Sequence, residues 1–354
     1  MSAVQADYEV ISSELVRALR GRRSQSSCSA RLGYRSNIVY RWEARQCWPS
    51  AADFLVSCTR LRVDVAQSFA HFYGRPPPWL AELGATSSAA VASFLRDLRG
   101  KVPINSLAEA TGFSRFSLSR WLKGKAQPNL PEFLRVIDAT SHRLLDYIAT
   151  LTSPEKLPSV GARWLELQRT RELAYSSPWS HAVLRALELD AYAKRGHREP
   201  DFLARALGVD EAHVKLTLEA LAGSGQIESE RGRWVPTNVS NVNTGSDPER
   251  ARRLKGHWTR VAVERLEHGE PSLSGYTLFA VSRADLQRLR ELQLEYARAM
   301  QAIVTRSTPN ECVGLYCMHL LDLRAGDGNA FGSTAPGEPS RGARRRGAAR
   351  LSDP

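Results

Sequence analysis

Offset against itself by 79 residues, the chain aligns residues 14–55 with 93–134 without a gap, and eleven of the 42 pairs are identical. The identities include Arg17/Arg96, Leu19/Leu98, Gly21/Gly100, Gly33/Gly112, Arg41/Arg120, Trp42/Trp121, Pro49/Pro128 and Phe54/Phe133. A period this long does not suit a solenoid, so it reads as duplication of a small helical domain, with copies at 8–73 and 87–152. Pro76, Pro77 and Pro78 mark the break between them.

Each copy spells short capped helices. In the first, Val10, Ile11, Leu15, Ala18 and Leu19 form one stripe over 8–20, and Gly21 stops it. Ser24 caps a second helix over 25–32, ended by Gly33, and a third runs from Ser36 towards Trp42 or Glu43. The second copy repeats the pattern over 94–99, 104–111 and 114–122, with Gly100, Gly112 and Gly124 as stops. The inward positions are Cys28, Ser29, Leu32, Gly33, Tyr34, Val39 and Trp42, then Leu107, Ala108, Thr111, Gly112, Phe113, Leu118 and Trp121.

Charge follows the repeat. The whole chain carries a formal +12. Residues 14–50 hold eight Arg against two carboxylates, net +6, and residues 93–130 hold seven basic against two acidic groups, net +5. Two short basic segments therefore carry most of the excess, which favours a polyanionic partner. The outward face of the third helix falls out by elimination: Arg35, Ser36, Asn37, Tyr40 and Arg41 in copy one, and Ser114, Arg115, Phe116, Ser119 and Arg120 in copy two. Such residues suit a major groove, because Arg grips guanine and Asn grips adenine through paired hydrogen bonds. The helix N-termini at Gln25 and Ser36, with Arg22, Arg23, Arg99, Lys101, Lys123 and Lys125, are expected to hold phosphates.

The run from Ser24-Gln25 through Leu32-Gly33 to Arg41-Trp42-Glu43-Ala44 and Pro49 resembles the phage-repressor (Xre, Cro) type of helix-turn-helix. Copy two resembles it more loosely. Cys28 stands where Leu is usual, Arg45 where Gly commonly caps the third helix, and Ile104 where Gln opens the second helix of copy two. The resemblance implies double-stranded DNA as partner, with Gln25 among the contacting residues.

Further on, residues 179–195 read as a helix, and Phe202 to Leu221 repeat the helix-turn-helix pattern. Two short strands around Arg231-Gly232 follow, so that 160–237 reads as a winged helix. Its outward helix displays Asp210, Glu211, His213, Lys215 and Glu219, a net negative face assigned to packing, dimerisation or regulation. Residues 247–323 alternate helix (250–268), strand (275–281), helix (284–304) and strand (312–321), a small α/β unit whose strands pair with each other or across a dimer. His257-Trp258, the run from Gly275 to Ser282, Asp285-Leu286 and the final strand near Leu323 resemble an uncharacterised bacterial family, domain of unknown function 4423, and the likeness is expected to extend over most of the chain. Residues 324–354, with Arg344, Arg345 and Arg346, read as a disordered basic tail.

The expected fold class is mainly α: tandem helix-turn-helix modules, a winged helix and a small α/β C-terminal unit. No apolar run is long enough for a membrane span and no secretory signal is apparent, so the cytoplasm is the expected compartment. The five cysteines support neither a disulfide framework nor a zinc site, and Cys312 and Cys317 are expected to be buried free thiols. No catalytic or cofactor motif is present, so neither an enzyme nor a bound cofactor or metal is expected. The leading function is a DNA-binding transcription regulator, monomeric or homodimeric, with an unidentified effector. The alternative is an adaptor that docks on a protein partner through its helical modules, and RNA binding ranks third.

Overall fold

The computed structural model describes residues 6–195, 199–237 and 244–323. Helix dominates there, beside one two-stranded sheet. Copy one supplies α1 (Tyr8–Arg20), α2 (Gln25–Arg31), α3 (Ile38–Glu43), α4 (Ala51–Arg60) and α5 (Val65–Tyr73). A short helix, α6 (Trp79–Leu83), follows the three prolines. Copy two supplies α7 (Ser88–Arg99), α8 (Ile104–Thr111), α9 (Arg115–Leu122), α10 (Leu130–Ser141) and α11 (Leu144–Leu151). Side-chain caps explain most of the starts: Asp7, Ser24, Ser50, Asp64, Ser87, Ser114 and Asn129 each accept a backbone N–H of the first turn.

The 79-residue offset carries α1–α5 onto α7–α11, and the contacts between the copies exchange under it. Helix α1 packs against α10 while α7 packs against α4, and α5 lies against its own counterpart α11. The Ala51 N–H donates to Pro128 O at 2.9 Å and the Leu130 N–H donates to Pro49 O at 3.0 Å, about an antiparallel bridge between Ser50 and Asn129. Residue i meets j, and the counterpart of i meets the counterpart of j, which is the signature of a two-fold interface. The copies accordingly share one buried core from Ile11 to Val160. Near its centre Phe94 makes ring contacts with Phe69, Phe72, Tyr73, Phe133 and Tyr147.

Helix α12 (Gly161–Ser176) leads away from this core, with Trp164 and Leu167 packed on it. Arg171 Nη2 donates to Asp146 Oδ1 at 2.7 Å, with both side chains nearly excluded from water. A second core gathers α13 (Trp179–Leu187), α14 (Asp190–Ala193), α15 (Pro200–Leu207), α16 (Glu211–Gly223), β1 (Ile227–Glu230) and β2 (Arg233–Pro236). The strands pair antiparallel, Ile227 opposite Pro236 and Glu230 opposite Arg233. Their turn places Arg231 and Gly232 at φ 49° and 83°, the doubly positive geometry that a tight hairpin requires. The helix expected over 179–195 is interrupted at extended Leu189, where the Asp190 N–H donates to Asn310 O rather than continuing the helical ladder.

Helices α17 (Pro248–Glu267) and α18 (Arg283–Arg306) complete the described chain. The strands expected over 275–281 and 312–321 are not formed among the described residues, so the small α/β unit is corrected to helices with extended connections. Apolar alternation gives a segment two faces, but a strand also needs a ladder partner, and these segments lie exposed, Tyr276 at 90% and Leu321 at 69%. The buried thiols expected there are corrected too: Cys312 is exposed and Cys317 half-buried, whereas Cys28 and Cys58 are buried. Two compact units result among the described residues, one reaching Tyr276 and taking back 303–315, the other holding 277–302 and 316–323. No helix of the described residues is long and apolar enough to cross a membrane. The tail expected over 324–354 lies outside the described residues.

Candidate nucleic-acid interface

The surface is built from α2 and α3 in copy one and from α8 and α9 in copy two. Between each pair a glycine adopts positive φ, 83° at Gly33 and 71° at Gly112, where a Cβ would be strained. Of the expected inner face, Cys28, Ser29, Leu32, Val39 and Trp42 are buried, as are Leu107, Thr111, Leu118 and Trp121, while Tyr34, Ala108 and Phe113 are half-buried and the turn residues Gly33 and Gly112 are exposed. Each tryptophan meets a turn aromatic edge-on, Tyr34 with Trp42 at 5.6 Å and Phe113 with Trp121 at 5.2 Å. The polar members of that face are satisfied. Ser29 Oγ donates to Gln25 O at 2.8 Å and accepts the Val39 N–H at 3.1 Å, and Thr111 Oγ1 donates to Leu107 O at 2.7 Å.

Four expected DNA contacts are placed differently from the sequence reading. Helix α3 begins at Ile38, not Ser36, because Asn37 caps it. Asn37 Oδ1 accepts from the Tyr40 N–H at 3.4 Å and lies 3.2 Å from Ser29 Oγ, which removes the acceptor that a paired contact to adenine would use. Ser36 is exposed just ahead of the cap. Gln25 Nε2 donates to Glu43 Oε2 at 2.7 Å, so its amide serves the packing of α2 on α3. In copy two, Ser114 caps α9 through the Ser117 N–H at 3.0 Å.

Glu43 was not singled out by the sequence as a structural residue. Its side chain, 3% exposed, takes Arg20 Nε at 2.6 Å and Arg20 Nη2 at 3.2 Å besides Gln25, tying α1, α2 and α3 together. At the same two places copy two carries Ile104 and buried Leu122, an apolar pair instead of a polar one. The repeat alignment held that clue, because Gln25/Ile104 and Glu43/Leu122 change character together. With Glu43 buried, no carboxylate remains exposed on α3.

The outward residues of the third helices divide by chemistry. Arg35, Tyr40 and Arg41 are exposed on copy one, Tyr40 at 49%. Arg115, Phe116 and Arg120 are exposed on copy two, with Ser119 half-buried. Phe116 is 70% exposed and its ring carries the Arg120 guanidinium 5.5 Å from its centroid. Arg115 Nη1 donates to Asn105 Oδ1 at 3.3 Å. Arg35 and Arg41 meet no carboxylate among the described residues. Of the expected phosphate contacts, Arg22, Arg23, Lys101, Lys123 and Lys125 are exposed, while half-buried Arg99 donates through Nε to Val102 O at 3.0 Å. Arg45 ends α3 at φ 60°, as Gly124 ends α9 at 68°.

The acidic helix α16 differs. Lys215 Nζ pairs with Glu211 at 2.7 Å, and His213 meets Trp179, which also touches His257 and Trp258 of α17. His257 Nε2 and His181 Nε2 are buried without a hydrogen-bond partner, and burial pushes both imidazoles below their ordinary pKa. Among the described residues no group of three His, Cys, Asp or Glu could hold a metal ion.

Residues 162–320 match the family described as Domain of unknown function (DUF4423). The match starts within α12 and covers a little under half of the chain, less than the sequence resemblance suggested, and it leaves both N-terminal copies outside. No curated protein and no solved structure was found to match the chain.

Proposed function

We propose that this protein is a DNA-binding transcription regulator whose N-terminal copies are helix-turn-helix modules of the phage-repressor type, with α3 and α9 entering the major groove of duplex DNA. The observation that carries the reading is the exposed face of these helices: Arg35, Tyr40 and Arg41 on one, and Arg115, Phe116 and Arg120 on the other, with the carboxylate of α3 withdrawn into the core. Arg41 and Arg120 supply paired donors for guanine, Phe116 suits a thymine methyl, and the flanking Arg22, Arg23, Lys101, Lys123 and Lys125 supply phosphate affinity.

Helices α13–α16 and the hairpin form a winged-helix unit in this reading, and its acidic α16 serves packing or regulation rather than DNA. The test is selection of bound fragments from randomised duplex DNA at two salt concentrations. Arg35→Ala and Arg41→Ala should each cost about 1–3 kcal/mol of discrimination. Arg22→Ala should weaken all sequences alike and flatten the salt slope by about 0.9. Full discrimination in the Arg35→Ala, Arg41→Ala double variant would refute α3 as reader. Loss of all binding with salt and no selected motif would favour a protein-docking adaptor.

A further inference from the structure

A homodimeric repressor presents two identical reading helices by pairing two chains. Here the interface that would relate two chains lies inside one. The exchanged bonds Ala51 N–H to Pro128 O and Leu130 N–H to Pro49 O, the reciprocal α1–α10 and α7–α4 packing, and the self-paired α5 and α11 together define a pseudo-two-fold axis through the Ser50–Asn129 bridge. A two-fold axis places α3 and α9 at the same height along it and reverses the part of their direction that runs across it. A tandem array without that axis would set them head to tail.

We propose, resting on the DNA reading above, that a single chain recognises an imperfect inverted repeat, one copy per half-site, without a second chain. The two halves of the site should share some base pairs and differ at others. Arg41 and Arg120 occupy equivalent positions and both are exposed, so a guanine contact recurs symmetrically about the centre. The capping Asn37 of copy one is replaced by exposed Phe116 in copy two, and Arg35 and Ser36 by Ser114 and Arg115. One half-site therefore carries an apolar contact, suited to thymine, that the other lacks. This asymmetry distinguishes the proposed site from the palindrome that two identical chains would select.

The test is fragment selection with the full chain, followed by the mass of the complex on the selected duplex. The expected result is two dissimilar half-sites in inverted orientation, with centres about 10 bp apart as for two-fold readers on one face of the duplex, bound by one chain per duplex. Arg41→Ala should relax one half-site and Arg120→Ala the other, each by about tenfold in preference for its base pair. Re-synthesising the site with one half reversed, as a direct repeat, should weaken binding by about tenfold or more.

A selected direct repeat, a lone half-site, two chains per duplex, or both variants relaxing the same base pair would overturn the single-chain inverted-repeat assignment while leaving DNA binding standing. Absence of any selected motif would overturn the DNA reading, and this inference with it. Both variants alter exposed side chains, and unchanged circular dichroism confirms that a lost preference is not lost folding.

Discussion

Transplanting the packing of copy two into copy one makes a quantitative test of what holds helix α3 in place. In copy one the carboxylate of Glu43 is 3% exposed and bonded to Arg20 and Gln25, and in copy two the same places hold Leu122 and Ile104. Glu43→Ala removes the acceptor of two charge-assisted bonds from Arg20, each worth about 1.5–3 kcal/mol. Arg20 regains part of this from water, being 17% exposed, and keeps its Nη1 bonds to Gly21 O and Arg23 O. The net loss should be about 3 kcal/mol, within the range for breaking a buried pair. Glu43→Leu alone still strands the Gln25 amide and should cost about 2 kcal/mol. The double variant Gln25→Ile, Glu43→Leu removes both members of the Gln25–Glu43 bond, leaves Arg20 to water as Glu43→Leu does, and should recover about 1–2 kcal/mol of that, since replacing a buried polar pair by apolar groups of like shape is close to neutral. Urea unfolding at pH 7, followed by circular dichroism, gives the four corners of the cycle. A Glu43→Ala cost below about 1 kcal/mol, or strict additivity of Gln25→Ile and Glu43→Leu, would refute the assignment of this network as the joint between α1, α2 and α3.

Three other outcomes are expected. Phe94→Ala should cost about 3–5 kcal/mol, because the ring lies fully buried among five others at the seam of the two copies; differential scanning calorimetry reads it. Arg45→Gly should stabilise by about 1 kcal/mol and Gly124→Ala should destabilise by a similar amount, since both positions hold positive φ; the midpoint of chemical unfolding should move in opposite directions. Burial, reinforced by Arg185, holds His181 below its ordinary value of 6.5, so the unfolded chain takes up this proton at higher pH than the folded one. Stability should be full above that value and fall as pH drops below it, and His181→Leu should shrink that loss in unfolding curves.

The local fold was legible where one residue type has one physical use. Gly21, Gly33, Gly100 and Gly112 marked turns that the structure makes with positive φ, and Arg231-Gly232 marked the hairpin. The tryptophans at 42 and 121 read as inward and are buried. Less legible were residues with two uses. Asn37 and Gln25 offer amides that suit a base or a neighbour equally, and only the placement of Tyr40 and Glu43 decides for the neighbour. Alternation over 275–281 and 312–321 described what strands would look like but could not supply a ladder partner. The repeat alignment revealed two copies but not their axis, because identity between segments carries no information about how they face each other. That came from the exchanged bonds at Pro49 and Pro128 and the reciprocal packing of α1 on α10 and α7 on α4.

The fused seam also changes how this protein can vary. In an assembly of two identical chains every substitution appears twice, so a change suited to one side is imposed on the other. Here each side is encoded separately, and one can alter while its counterpart stays fixed. The polar Gln25–Glu43 pair facing an apolar Ile104 and Leu122 across the axis is such a divergence in the interior, and Asn37 against Phe116 is one on the surface. A molecule of this construction is free to differ between its two sides, where a pair of identical chains is held to sameness.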